Sequence, residues 1–262
     1  GLVGLTKFLF FLPFTLSLIP LFLILKIFYR WTGVKIPMLV VRQFWSRVGL
    51  KLCGLNLRVQ GRLSSKVSIV VCNHISWLDI LVIQSVTDVV FVAKSEVKTW
   101  PGFGFLAQLA DTLFVERKPQ KIEFHSKEAE KIMSMGNTIC FFPEGTSSDG
   151  LRVLKFRSGF FQLAYGNVLG KYNSAIHIQP LSLFYAPHGG DKDSDFYGWW
   201  GSMSLISHII KILCQSSGTA TLKFHHLLSS GDFENRKRLA SEAEKVIGDE
   251  VAYNISTESL YG

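Results

Sequence analysis

Asn73-His74-Ile75-Ser76-Trp77-Leu78-Asp79 sets a histidine and an aspartate five residues apart, directly after the apolar run Val67-Ser68-Ile69-Val70-Val71-Cys72. A carboxylate on one imidazole nitrogen fixes the tautomer, makes the other nitrogen more basic and stabilises the imidazolium as it forms. On one continuous helix five residues rotate by roughly 500°, which leaves the two side chains about 140° apart. They meet only if the chain turns before the helix begins. The pair then forms a general base without a nucleophile of its own, so the substrate must bring one, most simply a hydroxyl. The bland alternative is that Asp79 only completes a Ser-x-x-Asp capping box and that His74 is a polar residue satisfied in a turn.

A second stretch suits a polar or anionic ligand. Pro143-Glu144-Gly145-Thr146-Ser147-Ser148-Asp149-Gly150 follows the apolar Thr138-Ile139-Cys140-Phe141-Phe142 and offers exposed backbone N–H groups and hydroxyls. Arg152, Lys155 and Arg157 come next. A phosphate fits here if the loop faces the same cleft as His74; a plain surface turn with a solvated charge run has the same composition. His225-His226 has no carboxylate or cysteine at ligand spacing and reads as structural, so no metal site is expected.

The elements that must hold these residues are legible as hydrophobic runs. Val67–Cys72 is short and β-branched, a buried strand, and the capping box predicts a helix from about Ser76. His74 therefore falls between strand end and helix start, where open α/β sheets bind ligands. Further strands are predicted at 88–93, 113–117, 138–142, 176–185 and 220–225, with helices at 122–135, 158–169, 203–213 and 233–247. Their alternation predicts an α/β sheet covered on both faces.

The first 66 residues are different in kind. They hold ten of the 28 Lys and Arg and no acid, because the first acidic residue is Asp79; this leaves 18 basic against 20 acidic side chains for the rest. A near-neutral body argues against nucleic acid as a partner. Between Phe8 and Tyr29 only Lys26 is charged, a run long enough to span a bilayer as helix. Pro13 and Pro20 tend to kink or end a helix, which leaves a kinked transmembrane helix, two short helices in one leaflet, or an uncleaved signal-like sequence. No small-residue cleavage site follows, so removal is not expected. The flanking basic residues favour anionic headgroups at a cytoplasmic surface. A second helix from about Pro37 to Leu52, with Arg42, Arg47 and Lys51, reads either as lying in the interface or as facing the core with a solvated basic back. The expected organisation is a membrane-associating segment over 1–62 and a catalytic domain over 63–262. Four cysteines without a C-x-x-C pair read as buried thiols in a reducing compartment.

With these residues in view the chain resembles the glycerolipid acyltransferases, and most closely the 1-acylglycerol-3-phosphate (lysophosphatidic acid) acyltransferases. The family's NHxxxxD is met by Asn73, His74 and Asp79, and its FPEGT by Phe142, Pro143, Glu144, Gly145 and Thr146. An apolar strand ending in arginine looks like Phe114-Val115-Glu116-Arg117, and a strand broken by proline looks like Pro180. The resemblance implies a mixed, mostly parallel β-sheet with helices on both faces, plus N-terminal membrane-associated helices at the cytoplasmic face of the cell membrane. It implies transfer of an acyl chain from acyl-CoA or acyl carrier protein to a lysophospholipid hydroxyl, with no cofactor beyond that thioester. His74 and Asp79 would be catalytic. Arg117, Glu144, Gly145 and Thr146 match positions that bind the acceptor, and Lys94 and Arg157 join them on a looser alignment. Where many members have arginine after FPEGT this chain has Ser147, a variant similar to members that acylate lyso-ornithine lipid. Glycerol-3-phosphate is a further acceptor to weigh. A hydrolase would need a nucleophile elbow, and no G-x-S-x-G is present; a non-catalytic membrane lipid binder would have no use for the His74 and Asp79 pair.

Overall fold

The computed structural model describes residues 2–116, 121–165, 175–188, 195–214 and 217–261. Two helices, α1 (Leu2–Thr32) and α2 (Ile36–Leu52), lead into β1 (Leu55–Gln60), β2 (Ile69–Cys72), α3 (Leu78–Gln84) and β3 (Val89–Lys94). α4 (Phe103–Leu109), β4 (Leu113–Val115), α5 (Ile122–Ser134) and β5 (Thr138–Phe141) follow, then β6 (His177–Pro187), α6 (Leu205–Leu213), β7 (Gly218–Phe224), β8 (Leu228–Ser229) and α7 (Arg236–Tyr261). Where a helix is expected over 158–169, the described part is a 3-10 helix, Phe160–Tyr165.

The strands form one sheet in the order β1-β7-β6-β2-β5-β3-β4, with β8 on β6. β7 and β8 run antiparallel to β6 and every other pairing is parallel, so the sheet is mixed and mostly parallel. Side chains alternate between two cores. Val70 and Cys72 of β2 join Leu50, Leu81 and Ile212 from α2, α3 and α6, whereas Ile69 and Val71 join Met133, Leu239 and Ile247 from α5 and α7. Helices therefore cover both faces. β1 had no counterpart among the expected strands; it lies before residue 63, yet it pairs along its length with β7.

The position of the functional loops follows from connectivity. β2 and β5 are parallel neighbours. From β2 the chain passes through α3 on one face to β3; from β5 it passes through the 3-10 helix on the other face to β6. Connections leaving adjacent strands toward opposite faces open a crevice at their carboxyl ends, and ligands bind at such switch points.

At the N-terminus the structure changes two expectations. α1 runs unbroken through Pro13 and Pro20, so the run does not divide into two short helices. It is long and apolar enough to cross a membrane, and Phe10, Leu16, Ile24 and Trp31 are among its many exposed apolar residues. On α2 the basic residues divide: Arg47 and Lys51 are exposed, as a solvated back requires, but Arg42 is not. Arg42 is buried and pairs with Asp88 at 3.1 Å, Arg47 donates to the Ser85 carbonyl, and the exposed stripe is Ile36, Val40 and Phe44. Cys53, Cys72 and Cys140 are buried as expected, but Cys214 is exposed.

Candidate active site

After Cys72 the chain leaves β2 but Asn73 keeps its pairing with β6. The Asn73 side-chain amide donates to the Leu183 carbonyl at 2.9 Å and its oxygen accepts the Leu183 N–H at 2.8 Å, reproducing both bonds of a strand residue. The next residue is thus set at a fixed place beyond the strand end. α3 begins only at Leu78, with no side-chain cap. The Ser76 hydroxyl is a buried group without a partner, so the capping box forms only by half: Asp79 accepts the Ser76 N–H.

Asp79 accepts far more than that. Its side chain is 0% exposed, and Oδ2 accepts the N–H groups of Ile75 and Ser76 at 2.7 and 3.0 Å and lies 2.7 Å from His74 Nδ1. The second oxygen, Oδ1, accepts the Tyr185 phenol at 2.8 Å. With Nδ1 given to a carboxylate, the neutral imidazole carries its proton there and keeps Nε2 for a substrate. The His74 ring is held from one side by Phe142, 4.2 Å between centroids and nearly parallel, and Phe142 in turn stacks on Phe91. The turn before α3 is what lets the histidine meet the aspartate, as the spacing requires.

The loop after β5 grips the same turn through its backbone. Glu144 is buried; Oε1 accepts the His74 N–H at 2.7 Å and Oε2 accepts the Leu154 N–H at 2.9 Å. In the following peptide group, the His74 carbonyl accepts the N–H and the hydroxyl of Ser148 at 2.9 and 3.0 Å. Burial pushes the Glu144 carboxyl up to about 8, while its two backbone donors pull the other way. A third segment closes the arrangement. Trp199 donates its N–H to the Ile75 carbonyl, the Ser147 hydroxyl donates to the Trp199 carbonyl, and the Trp77 indole donates to His208 on α6.

The structure brings His74, Asp79 and Glu144 into one hydrogen-bonded unit. Gly145 makes the turn after Glu144 with φ 75°, a conformation that favours glycine. Thr146 is exposed, as are Lys94, the last residue of β3, and Arg157, whose N–H bonds the Pro143 carbonyl. Arg117 lies outside the described residues. Sequence reasoning missed Tyr185, Ser148 and the stacking role of Phe142. Phe142 stands in the sequence only as part of the FPEGT motif, and no local pattern ties Tyr185 to a residue 106 positions earlier.

The acyltransferase family model matches residues 56–183, which contain His74, Asp79 and Glu144. Over 203 residues the chain is 37% identical to a lyso-ornithine lipid O-acyltransferase of Rhodobacter capsulatus, covering 77% of this chain and 72% of the relative. A lyso-ornithine lipid O-acyltransferase of Rhizobium meliloti is 34% identical over 88% of this chain and 80% of its own. A 1-acyl-sn-glycerol-3-phosphate acyltransferase of Neisseria gonorrhoeae is 28% identical over 70% and 69%. The crystal structure of the LPA acyltransferase PlsC from Thermotoga maritima shares the fold, with TM-score 0.68 at 20% identity over 95% of this chain and 94% of that one. The chain belongs to the glycerolipid acyltransferase family, and within it to the acyltransferases of lysolipids.

Proposed function

We propose that the protein transfers an acyl group from an acyl thioester to the free hydroxyl of a lysolipid, and that the acceptor is lyso-ornithine lipid. The observation that carries the reaction is the His74 Nδ1 to Asp79 Oδ2 contact of 2.7 Å, with Asp79 fully buried. His74 Nε2 takes the acceptor's hydroxyl proton as its oxygen attacks the thioester carbonyl. The C–O bond forms, the C–S bond breaks, and the imidazolium returns its proton to the leaving thiolate, so no acyl-enzyme forms. Glu144 serves this step by holding the His74 turn. Lys94, Gly145, Thr146, Arg157 and, in the sequence, Arg117 supply polar groups for the acceptor's head.

Two observations support the ornithine acceptor. The relatives that share more identity with this chain carry that name. The position after FPEGT, arginine in many members of the family, is Ser147, and its hydroxyl is spent on the Trp199 carbonyl. A lyso-ornithine lipid carries an amine and a single carboxylate where lysophosphatidic acid carries a phosphate, so it draws less on added cations. The second reading, lysophosphatidic acid as acceptor and phosphatidic acid as product, is supported by the Neisseria relative.

The reading extends to the membrane. α1 is tied to the α/β body near both ends: Gly4 lies against Cys214, and Lys26 pairs with Asp111 at 2.7 Å. Those points are about 33 Å apart along a helix. A helix held so lies along one leaflet rather than carrying its ends to opposite sides, and the cytoplasmic face of the cell membrane is the side proposed.

The test is acyl transfer by the purified protein in detergent, offering labelled lyso-ornithine lipid and lysophosphatidic acid in parallel, each with acyl-CoA and with acyl carrier protein as donor. Product from lyso-ornithine lipid is expected; product only from lysophosphatidic acid would replace the acceptor, and none from either would sink the reading. His74→Ala is expected to lower kcat by roughly 10²–10⁴.

A further inference from the structure

Asp79 has a second oxygen to satisfy. Its Oδ2 is taken by the His74 turn, whereas Oδ1 accepts the phenol of Tyr185 at 2.8 Å in a place with no exposure at all. Tyr185 sits near the end of β6, is buried, and packs against Tyr197 at 5.5 Å between ring centroids, the rings tilted by 32°. Tyr197 has its own seat. Its ring lies over Gly218, the first residue of β7, where a Cβ would come 2.1 Å from the phenol oxygen. The backbone of β7 thus supports one ring, that ring supports the next, and the second delivers a hydroxyl to the far oxygen of the carboxylate that holds His74.

We propose that Tyr185 is a positioning residue for the acyl transfer: its phenol balances the charge of Asp79 and thereby sets the pH at which His74 becomes a working base. This rests on the reading of His74 as that base. A carboxylate that shares its charge with a phenol pulls less on the imidazole Nδ1 proton; without the phenol the buried charge turns wholly toward His74 and favours the imidazolium. An imidazolium cannot accept the hydroxyl proton, so the acid limb of the rate profile must rise in pH when the phenol is lost.

The neighbours do not confuse this readout. Burial pushes the Tyr185 phenol and the thiols of Cys72 on β2 and Cys140 on β5 well up, so all three stay protonated, and burial holds His208 on α6 down to about 4. Glu144, pushed up to about 8, and Asp149 lie in the loop after β5 and are the same in protein and variant.

The experiment measures kcat and KM of the full chain in detergent from pH 5.5 to 9.5, with Tyr185→Phe and His74→Ala in parallel. At pH 7 Tyr185→Phe is expected to lose about tenfold in kcat, equivalent to about 1.4 kcal/mol, with KM for both substrates within about twofold. The deficit should shrink as pH rises, because the acid limb has moved up. Phenylalanine keeps the ring against Tyr197. Should the variant still not accumulate, 3-fluorotyrosine at position 185 keeps every ring atom, donates more strongly, and should move the acid limb down. A limb that superposes on the parent in either variant, or a loss that appears in KM alone, overturns the proposal while an inactive His74→Ala leaves the base in place. Full activity in His74→Ala overturns both.

Discussion

Glu144 holds the turn that carries His74 through backbone hydrogen bonds alone. Both of its oxygens accept backbone N–H groups, one from His74 and one from Leu154, in a buried setting. Glutamine at 144 can accept only one of them and must turn an N–H toward the other. Glu144→Gln is therefore expected to cost about 1–3 kcal/mol of stability, the range for leaving a buried polar group without its partner, and to lower kcat more than it raises KM. The pH dependence is a sharper test. Burial raises the folded-state value from its ordinary 4.5 to about 8, so between these limits the folded protein holds a proton that the unfolded chain has released. Stability contributed by this group must therefore fall as pH rises through that window and level off above it. Denaturant midpoints from pH 5 to 8 should show that decline in the parent and a flatter curve in Glu144→Gln; equal slopes would refute the assignment.

At the scale of elements, β6 is where the sheet meets the site. Asn73 pairs with Leu183 and Tyr185 reaches Asp79, so two residues of β6 fix the carboxyl end of β2. β7 stands behind them through Gly218. Gly218→Ala drives a Cβ into the Tyr197 ring and is expected to cost about 1–3 kcal/mol by overpacking. Because Tyr197 backs Tyr185, kcat should fall as well, and melting temperature together with kcat checks both. A stable, fully active Gly218→Ala would show that the rings shift freely. The strand itself was legible as an apolar run broken by proline. β1 was missed although Leu55-Asn56-Leu57-Arg58-Val59-Gln60 alternates apolar and polar residues, the pattern of a half-buried strand, here paired with β7 at the sheet edge.

Across the whole molecule, the exposed apolar surface of α1 and the stripe Ile36, Val40 and Phe44 on α2 leave one side of the protein poorly suited to water. If that side is seated in a lipid leaflet, the protein should sediment with membranes, resist extraction by 1 M salt and be released by detergent. Release by salt alone would mean that charge, not apolar burial, holds it. Here the sequence misled about detail. Arg42 read, with Arg47 and Lys51, as a headgroup contact or part of a solvated back, yet it is buried against Asp88, a partner 46 positions away that no helical spacing reveals; Arg47 donates to the Ser85 carbonyl and stays exposed.

The sequence by itself determined the family and the pairing of His74 with Asp79. A histidine five residues before an aspartate, after a buried strand and before a helix, can meet it only across a turn, and such local geometry follows from residues close in the chain. Strand and helix runs likewise carry their own periodicity, so the layered α/β fold was readable. Only the tertiary structure decided what surrounds the pair: that Glu144 binds backbone, that Tyr185 completes Asp79, that Ser147 is spent on Trp199. Each of these contacts joins residues 52 to 106 positions apart. No spacing rule spans such a gap, because strand order in the sheet, not distance along the chain, sets which side chains share a buried volume.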